Sequence, residues 1–193
     1  MAENLDFATK TDNQLVALTL ANQDNFLYLV NRYDQKILRY ILRISNVDAD
    51  SAQDLLQEIF IKAYQNLNSF DQNLKFSSWL YRIAHNHVIS SFRKNQARPQ
   101  TFSLEVNEQI LENLADDSSV VQKIDQQFLR DHLEKILNRL DKKYREVIIL
   151  RYFEDKDYKE ISDIIRKPVG TVGTLINRAK KQIEEIIKNY DRQ

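Results

Sequence analysis

Two stretches of the chain carry basic side chains and no acidic ones. They cover residues 72–104 and 164–183, one in each half of the sequence. Lysine and arginine side chains in such stretches can contact the phosphates of a nucleic acid, although a solvated helix face would give the same composition. Because the two stretches are far apart in the sequence, they predict two separate phosphate-contacting surfaces.

The second basic stretch overlaps a pattern that is typical of a helix-turn-helix. A short helix is predicted over residues 157–165 and a longer one from Val169, with a three-residue break between them. The polar side of the longer helix offers groups that can enter a major groove, namely Gly170, Thr174, Asn177, Arg178 and Lys181. An ordinary helical hairpin is one alternative. The RNA-binding loop of a KH domain, suggested by the spacing of Gly170 and Gly173, is another, but it needs a sheet that the helical flanks do not predict.

The first basic stretch interleaves aromatic and basic side chains. Residues 76–86 place Trp79, Tyr81 and Arg82 next to a polar loop over residues 66–75. Aromatic rings beside cations suit the unpaired bases of single-stranded nucleic acid. Aromatic residues at helical spacing usually pack in a core, so we expect Trp79 to have a core face.

Asp54 and Glu58 are like charges one helical turn apart, which is destabilising unless a cation or a metal faces them. His85 and His87 are two residues apart and cannot share a helix face, and His132 stands alone, so no metal site is predicted. We therefore expect a partner protein to face the two carboxylates. No nucleophile and base make a catalytic pair, and we expect neither a cofactor nor enzymatic activity.

The composition excludes several classes of protein. The 193 residues include 2 Gly, 2 Pro and no Cys, too few turn formers for sandwiches or barrels and no thiol for a disulfide framework or a zinc site. Two glycines cannot form a dinucleotide-binding or P-loop motif. The acidic N-terminus lacks the apolar core of a signal peptide, and no apolar run reaches about 18 residues. We therefore expect an all-α, cytoplasmic, soluble protein without membrane insertion.

Apolar residues at steps of three and four predict the helices that must position these side chains. In the first half the predicted helices lie near residues 12–21, 24–44, 51–67 and 76–95. In the second half they lie over residues 124–140, around residues 147–150, and over residues 158–165 and 169–187.

An acidic linker is expected between two helical domains. Residues 97–125 hold two basic and six acidic side chains with only short apolar islands, a composition typical of an extended segment. The blocks on either side are small, so each must bury a core of its own. The sequence predicts domains over residues 1–96 and 123–193, joined by a linker over residues 97–122.

Three groups of residues occur in one order along nearly the whole chain, from about Asp12 to Ile187. The first is Asp54-Leu-Leu-Gln-Glu-Ile-Phe60, and the second is Phe76-Ser-Ser-Trp-Leu-Tyr-Arg-Ile-Ala-His-Asn86. The third comprises Leu140, Arg145, Leu150-Arg-Tyr-Phe153, Glu160-Ile161, Gly170-Thr-Val172 and Arg178-Ala-Lys180. Together they resemble the extracytoplasmic-function (ECF) sigma factors, sigma-70-type proteins that make bacterial RNA polymerase promoter-specific.

The resemblance implies that the first domain is region 2 of that family and the second is region 4. Contacts with the beta-prime clamp helices of core polymerase would come from Asp54, Gln57, Glu58 and Lys62. The melted −10 element would contact Ser69, Phe70, Asp71, Lys75, Trp79, Arg82, Asn86, Arg93 and Lys94. The duplex −35 element would contact Thr171, Gly173, Thr174, Asn177, Arg178 and Lys181. The beta flap and an anti-sigma factor are further implied partners, and the acidic linker would thread the polymerase cleft.

The sequence also departs from the family's pattern. Ser162 stands where the first helix of the motif usually has Ala, and Arg166 stands where the turn usually has Gly, a conformation uncommon for other residues. Gly173 and Leu175 replace positions that are commonly basic or polar. Two other functions stay open: a helix-turn-helix regulator with an N-terminal sensing domain, which would bind duplex DNA without polymerase, and a helical hydrolase, which would need a bound metal.

Overall fold

The computed structural model describes residues 7, 9–45, 47–94, 110 and 126–190. These residues form helices joined by turns, with no β-strand among them, so the predicted all-α fold is confirmed. They divide into two compact units, one in each half of the chain, except that residues 163–165 group with the first. Apart from Ile110, the predicted linker lies outside the described residues. Within the described ranges, no helix is both long and apolar enough to cross a membrane.

Four α-helices build the first unit and agree with the predicted helices to within a few residues. They are α1 (Asp12–Ala21), α2 (Phe26–Ser45), α3 (Ala49–Gln65) and α4 (Phe76–Lys94). One 3₁₀ turn precedes α2 and another follows α3. Thr11 and Gln14 form a reciprocal capping box at the start of α1, and Asp48 caps α3 by accepting from the Ser51 N–H over 2.8 Å.

The core of the first unit lies where α2 meets α3 and α4. Leu29, Ile37, Ile41, Ile59 and Leu80 are fully buried there. Four aromatic side chains pack beside them, with the centroids of neighbouring rings 5.4 to 5.6 Å apart: Tyr33, Phe70, Phe76 and Trp79. This aromatic cluster joins α2 and α4 to the loop that precedes α4.

Asp12 fastens the start of α1 to α2. Its carboxylate accepts from Arg32 Nη1 over 2.8 Å and from the Tyr33 hydroxyl over 2.5 Å. Arg32 also donates to the Phe7 carbonyl over 3.1 Å. Burial, and next the hydrogen bond to Asp12, raise the pKa of the Tyr33 hydroxyl well above its usual range, so this phenol remains a donor.

The second unit contains four more α-helices: α5 (Gln126–Arg139), α6 (Lys142–Ile148), α7 (Tyr158–Ile165) and α8 (Val169–Tyr190). The longest, α8, contacts α5 and α6. Its predicted apolar stripe is buried: Val172, Ile176, Ala179, Ile183 and Ile187. Asp157 and Glu160 cap α7 reciprocally. The predicted short helix, break and longer helix are therefore all present.

The segment that follows α6 differs from the prediction. The helix continues beyond Ile148 as a π-helical turn over Ile149–Phe153, in which the Glu154 N–H donates to the Ile149 carbonyl over 3.1 Å. The consecutive residues 147–150 are all buried. A fully buried apolar run predicts a helix but contains no signal for a wider turn, so the π-helical turn could not be predicted.

The turn between α7 and α8 has the conformation that the sequence implies. Arg166 lies in the left-handed region, with φ 52° and ψ 51°. Two hydrogen bonds span the turn: the Lys167 N–H donates to the Ser162 carbonyl over 3.2 Å, and the Ser162 hydroxyl donates to the Lys167 carbonyl over 2.6 Å. The serine that replaces the family's usual alanine thus reinforces the turn that lacks the family's usual glycine.

Candidate functional site

The docking residues predicted on α3 share its exposed side. Asp54, Gln57, Glu58 and Lys62 are all exposed, while the helix buries its apolar stripe. Ile61 lies among them and is 55% exposed. Ile61 is not among the residues predicted from the sequence, although an isoleucine outside the apolar stripe is a signal that could have found it. We call these five residues the α3 surface.

Glu58 also has a neighbour within the chain. His87 on α4 places its Nε2 atom 2.7 Å from Glu58 Oε2. Its Nδ1 atom lies 2.5 Å from the Lys62 ammonium. Spacing along α3 could not reveal this contact, since His87 belongs to a neighbouring helix. The side chain of Glu58 stays 60% exposed, and its contact with a partner protein remains a prediction.

His85 and His87 have different surroundings, as their two-residue spacing predicts. His85 is buried, and its Nδ1 atom lies 3.0 Å from the Tyr40 hydroxyl. The two imidazoles therefore do not form a metal-binding pair. In the part of the chain that the structure describes, no group of three or more histidines and carboxylates is arranged to hold a metal ion.

The loop over residues 66–75 is held by hydrogen bonds of its own. The Ser69 hydroxyl donates to the Asn66 carbonyl over 2.7 Å. The Asp71 carboxylate accepts from both the backbone and the side-chain N–H of Asn73, each over 2.9 Å. These bonds give the loop a defined shape before any ligand arrives.

A side chain of α1 also holds this loop. Asn13 donates from its amide to the Gln72 carbonyl over 2.9 Å, across 59 positions of sequence. Sequence reasoning misses this contact because nothing in the local pattern around Asn13 indicates it. Three of the predicted −10 contacts in the loop region are exposed: Ser69, Asp71 and Lys75.

Phe70 and Trp79 are predicted −10 contacts that the structure buries. They are 7% and 6% exposed, and both rings pack against Phe76. The core face expected of Trp79 is therefore confirmed. In this arrangement neither ring presents a face on which a base could stack. Both rings thus support the loop from beneath, and direct contact of these two residues with DNA stays a prediction.

The predicted contacts on α4 are only partly described. Asn86 is exposed and Arg82 is partly exposed. Arg93 and Lys94 belong to the last turn of α4, but their side chains lie outside the described part of the structure. Tyr81 is 2% exposed and packs in the core. The described exposed groups here are therefore an amide and a guanidinium.

Most of the residues predicted to read duplex DNA are exposed on α8, opposite its buried stripe. They are Thr171, Thr174, Asn177, Arg178 and Lys181. The Thr174 hydroxyl donates to the Gly170 carbonyl over 2.9 Å, which leaves its oxygen as an acceptor. Gly173 is partly exposed, and a Cβ atom added there would lie 3.6 Å from Cε2 of Tyr158, an ordinary contact distance.

The shifted pKa values of the second unit lie away from these contacts. Burial raises the pKa of the Glu146 carboxyl, against the opposing effect of nearby cations. Burial also lowers the pKa of Arg145, whose Nη1 donates to Asn138 over 2.9 Å and so ties α6 to α5. Both groups lie on α6, apart from the predicted contact residues, which indicates a role in packing.

Two family models match the chain. The model of sigma-70 region 2 matches residues 29–98, and that of sigma-70 region 4 matches residues 130–183. The first match includes α3, the loop over residues 66–75 and α4, and the second includes α7 and most of α8. The surfaces described above therefore fall within the two matched regions.

The similarity extends along most of the chain. The chain is 34% identical to the ECF RNA polymerase sigma factor SigW of Bacillus subtilis, and the match covers 87% of this chain and 91% of the relative. It is 33% identical to the RNA polymerase sigma-H factor of Pseudomonas aeruginosa, over 92% and 94%. Its fold resembles that of the sigma factor RpoE of Bartonella quintana, solved with the anti-sigma factor NepR, with a TM-score of 0.63, 22% identity and coverage of 85% and 97%. The chain belongs to the ECF sigma factors of the sigma-70 family.

Proposed function

We propose that three separate surfaces divide the work of this sigma factor. As a sigma factor, the chain binds core RNA polymerase and directs promoter-specific initiation of transcription. In our assignment the α3 surface docks on the core enzyme, the loop over residues 66–75 with α4 holds the −10 element, and α8 reads the −35 element. The chain acts by positioning polymerase and DNA in the cytoplasm and performs no chemistry of its own.

The α3 surface suits a protein partner. It combines an exposed isoleucine with acidic, amide and basic groups within a few helical turns. An apolar residue surrounded by polar groups is a common arrangement at protein interfaces. We assign the beta-prime clamp helices as the partner of this surface, and the beta flap as a contact of the second unit.

The loop over residues 66–75 and α4 suit a single strand. Lys75 and Arg82 can contact phosphates, while Ser69 and Asn86 can hydrogen-bond the edges of unpaired bases. The hydrogen bonds within the loop reduce the conformational entropy that ordering it on DNA would cost. Phe70 and Trp79 contribute by holding the loop on α4.

The N-terminal half of α8 suits duplex DNA. Asn177 can pair with adenine, Arg178 with guanine or a phosphate, and Lys181 with a phosphate. The Thr171 and Val172 N–H groups at the start of α8 donate to the Pro168 carbonyl, so a phosphate there would be met by the N–H groups of Val169 and Gly170.

An anti-sigma factor is a further proposed partner. The relative RpoE was solved with such a protein. We also propose that the acidic linker over residues 97–122 threads the polymerase cleft, where its negative charge would resemble that of a nucleic acid.

The observation that carries this proposal is that α3, the loop with α4, and α8 each present an exposed polar set of their own. The test is run-off transcription with bacterial core polymerase, together with a pull-down on that enzyme. Asp54→Lys reverses one charge of the α3 surface and should weaken both core binding and transcription. Asp24→Lys makes the same change of charge at an exposed site before α2, outside the three proposed surfaces, and should leave core binding unchanged.

If Asp54→Lys and Asp24→Lys bind core polymerase equally well, the α3 surface is not the docking site. Circular dichroism of both variants is the control, because only folded proteins can be compared in this way.

A further inference from the structure

The contact between α3 and α4 places one imidazole between two side chains of the α3 surface. His87 Nε2 lies 2.7 Å from Glu58 Oε2, and His87 Nδ1 lies 2.5 Å from Lys62 Nζ. The side chain of His87 is 10% exposed, whereas that of Glu58 is 60% exposed. The ring is thus almost covered, while the two groups that it contacts remain open to a partner.

The chemistry of the three groups sets which atoms face one another. A lysine ammonium has donors and no acceptor, so His87 Nδ1 accepts from Lys62. The ring proton is then assigned to Nε2, which lies 2.7 Å from the Glu58 carboxylate without the alignment of a hydrogen bond. A neutral imidazole therefore lies between the ammonium and the carboxylate and contacts both.

Without His87, the side chains of Glu58 and Lys62 could contact each other directly. Glu58 and Lys62 are four residues apart on α3, in the order that favours a direct ion pair on the helix surface. Both are long side chains with many rotamers, and immobilising each of them at an interface costs free energy. An imidazole between them keeps the two charges apart and limits their rotamers before a partner binds.

We propose that His87 is a positioning residue of the polymerase-docking surface. It holds Glu58 and Lys62 apart and oriented outward, so that the core enzyme meets a carboxylate and an ammonium in fixed places. This inference rests on the proposed docking role of the α3 surface. It assigns a binding role to a residue of α4 that makes little contact with solvent and need not touch the polymerase.

The test measures the affinity of the full-length chain for core polymerase and, on the same proteins, the free energy of unfolding. His87→Leu removes both contacts and should weaken core binding roughly tenfold, because it frees two long side chains. His87→Gln should retain most of the affinity, because its amide N–H can donate to Glu58 while its carbonyl accepts from Lys62. The effects of Glu58→Ala and His87→Leu should be non-additive when the two are combined, since both changes remove the same contact.

If folded His87→Leu loses stability but keeps its affinity for core polymerase, His87 has a structural role only, and the proposal is overturned. Equal loss of affinity in the Leu and Gln variants would also overturn it. If His87→Leu does not fold, the cycle of Glu58→Ala with Lys62→Met replaces it, and additive effects on affinity would overturn the proposal. Asp54→Lys separates failure of the positioning role of His87 from failure of the docking role of α3. If Asp54→Lys also leaves core binding unchanged, the docking role of α3 is wrong as well.

Discussion

Gly173 occupies an interior position of α8 where other residues would be compatible with the backbone. Its φ is not in the left-handed region, and a Cβ atom would meet only the Tyr158 ring at 3.6 Å. Glycine in a helix interior costs up to about 1 kcal/mol relative to alanine, because its backbone loses more freedom on folding. The structure thus provides no internal reason for glycine at this position.

We expect Gly173→Ala to raise the free energy of unfolding by up to about 1 kcal/mol, measured by denaturant titration of the full chain. Gly170→Ala is the matched control: nothing lies within 4 Å of its added Cβ, but it sits in the first turn of α8, so the gain should be smaller. Gly173→Lys should also add a phosphate contact and steepen the salt dependence of DNA affinity by about one unit. Higher stability together with weaker DNA binding would mean that DNA approaches the backbone closely at Gly173.

The turn before α8 allows a test at the scale of secondary structure. Arg166 holds a left-handed conformation that costs a residue other than glycine roughly 1–2 kcal/mol. We expect Arg166→Gly to change the stability by less than about 1 kcal/mol, because relief of this strain is offset by the greater freedom of glycine in the unfolded chain. Arg166→Val should destabilise by at least about 1 kcal/mol, since a β-branched residue tolerates this region poorly.

Lys167→Val is the control for that pair. Lys167 precedes Pro168, which favours extended backbone, and Lys167 has no positive φ. Equal losses for Val at residues 166 and 167, measured by thermal unfolding, would contradict the role given to the left-handed turn.

The two elements that we propose contact DNA should respond differently to a template that is already melted. Arg82→Ala on α4 should impair open-complex formation more than initial binding, and a pre-melted −10 bubble should restore part of the loss. Arg178→Ala on α8 should gain nothing from the bubble, because its proposed contact is with duplex DNA. Permanganate footprinting on both templates provides the measurement. A similar response of the two variants would refute the proposed division between α4 and α8.

Sequence patterns predict relations within one element better than relations between elements. The ends of α7, the left-handed Arg166 and the buried stripe of α8 follow from spacing, capping residues and local conformational rules. The pairing of Glu58 with His87 and the bond from Asn13 to Gln72 depend on which helix faces meet, and single-sequence periodicity contains no information about that.

The burial of Phe70 and Trp79 illustrates the same limit at the candidate site. Their types suit stacking with bases and also suit a core, and composition alone cannot separate the two roles. The helix period places Trp79 on the core side, but Phe70 lies in the loop, outside any helical period. Its contacts with Phe76 and Trp79 appear only once the loop is placed against α4.

At the scale of the whole molecule, the two units have separate cores and are matched by separate family models. Each core is built from the helices that also present its proposed binding surface. A destabilising substitution in one core should therefore weaken the proposed contacts of that unit more than those of the other unit.

The chain contains a single tryptophan, Trp79, packed among aromatic rings in the core of the first unit at 6% exposure. Its fluorescence emission therefore reports the first unit alone, whereas far-ultraviolet circular dichroism reports the helices of both. If the units unfold independently, Gly173→Ala should shift the part of the dichroism transition that belongs to the second unit. The midpoint of the fluorescence transition, which belongs to the first unit, should stay unchanged. A shift of both signals together would mean that the two units unfold as one. The buried indole thus supplies an intrinsic optical probe of the first unit, and no label has to be introduced near the DNA contacts that we propose there.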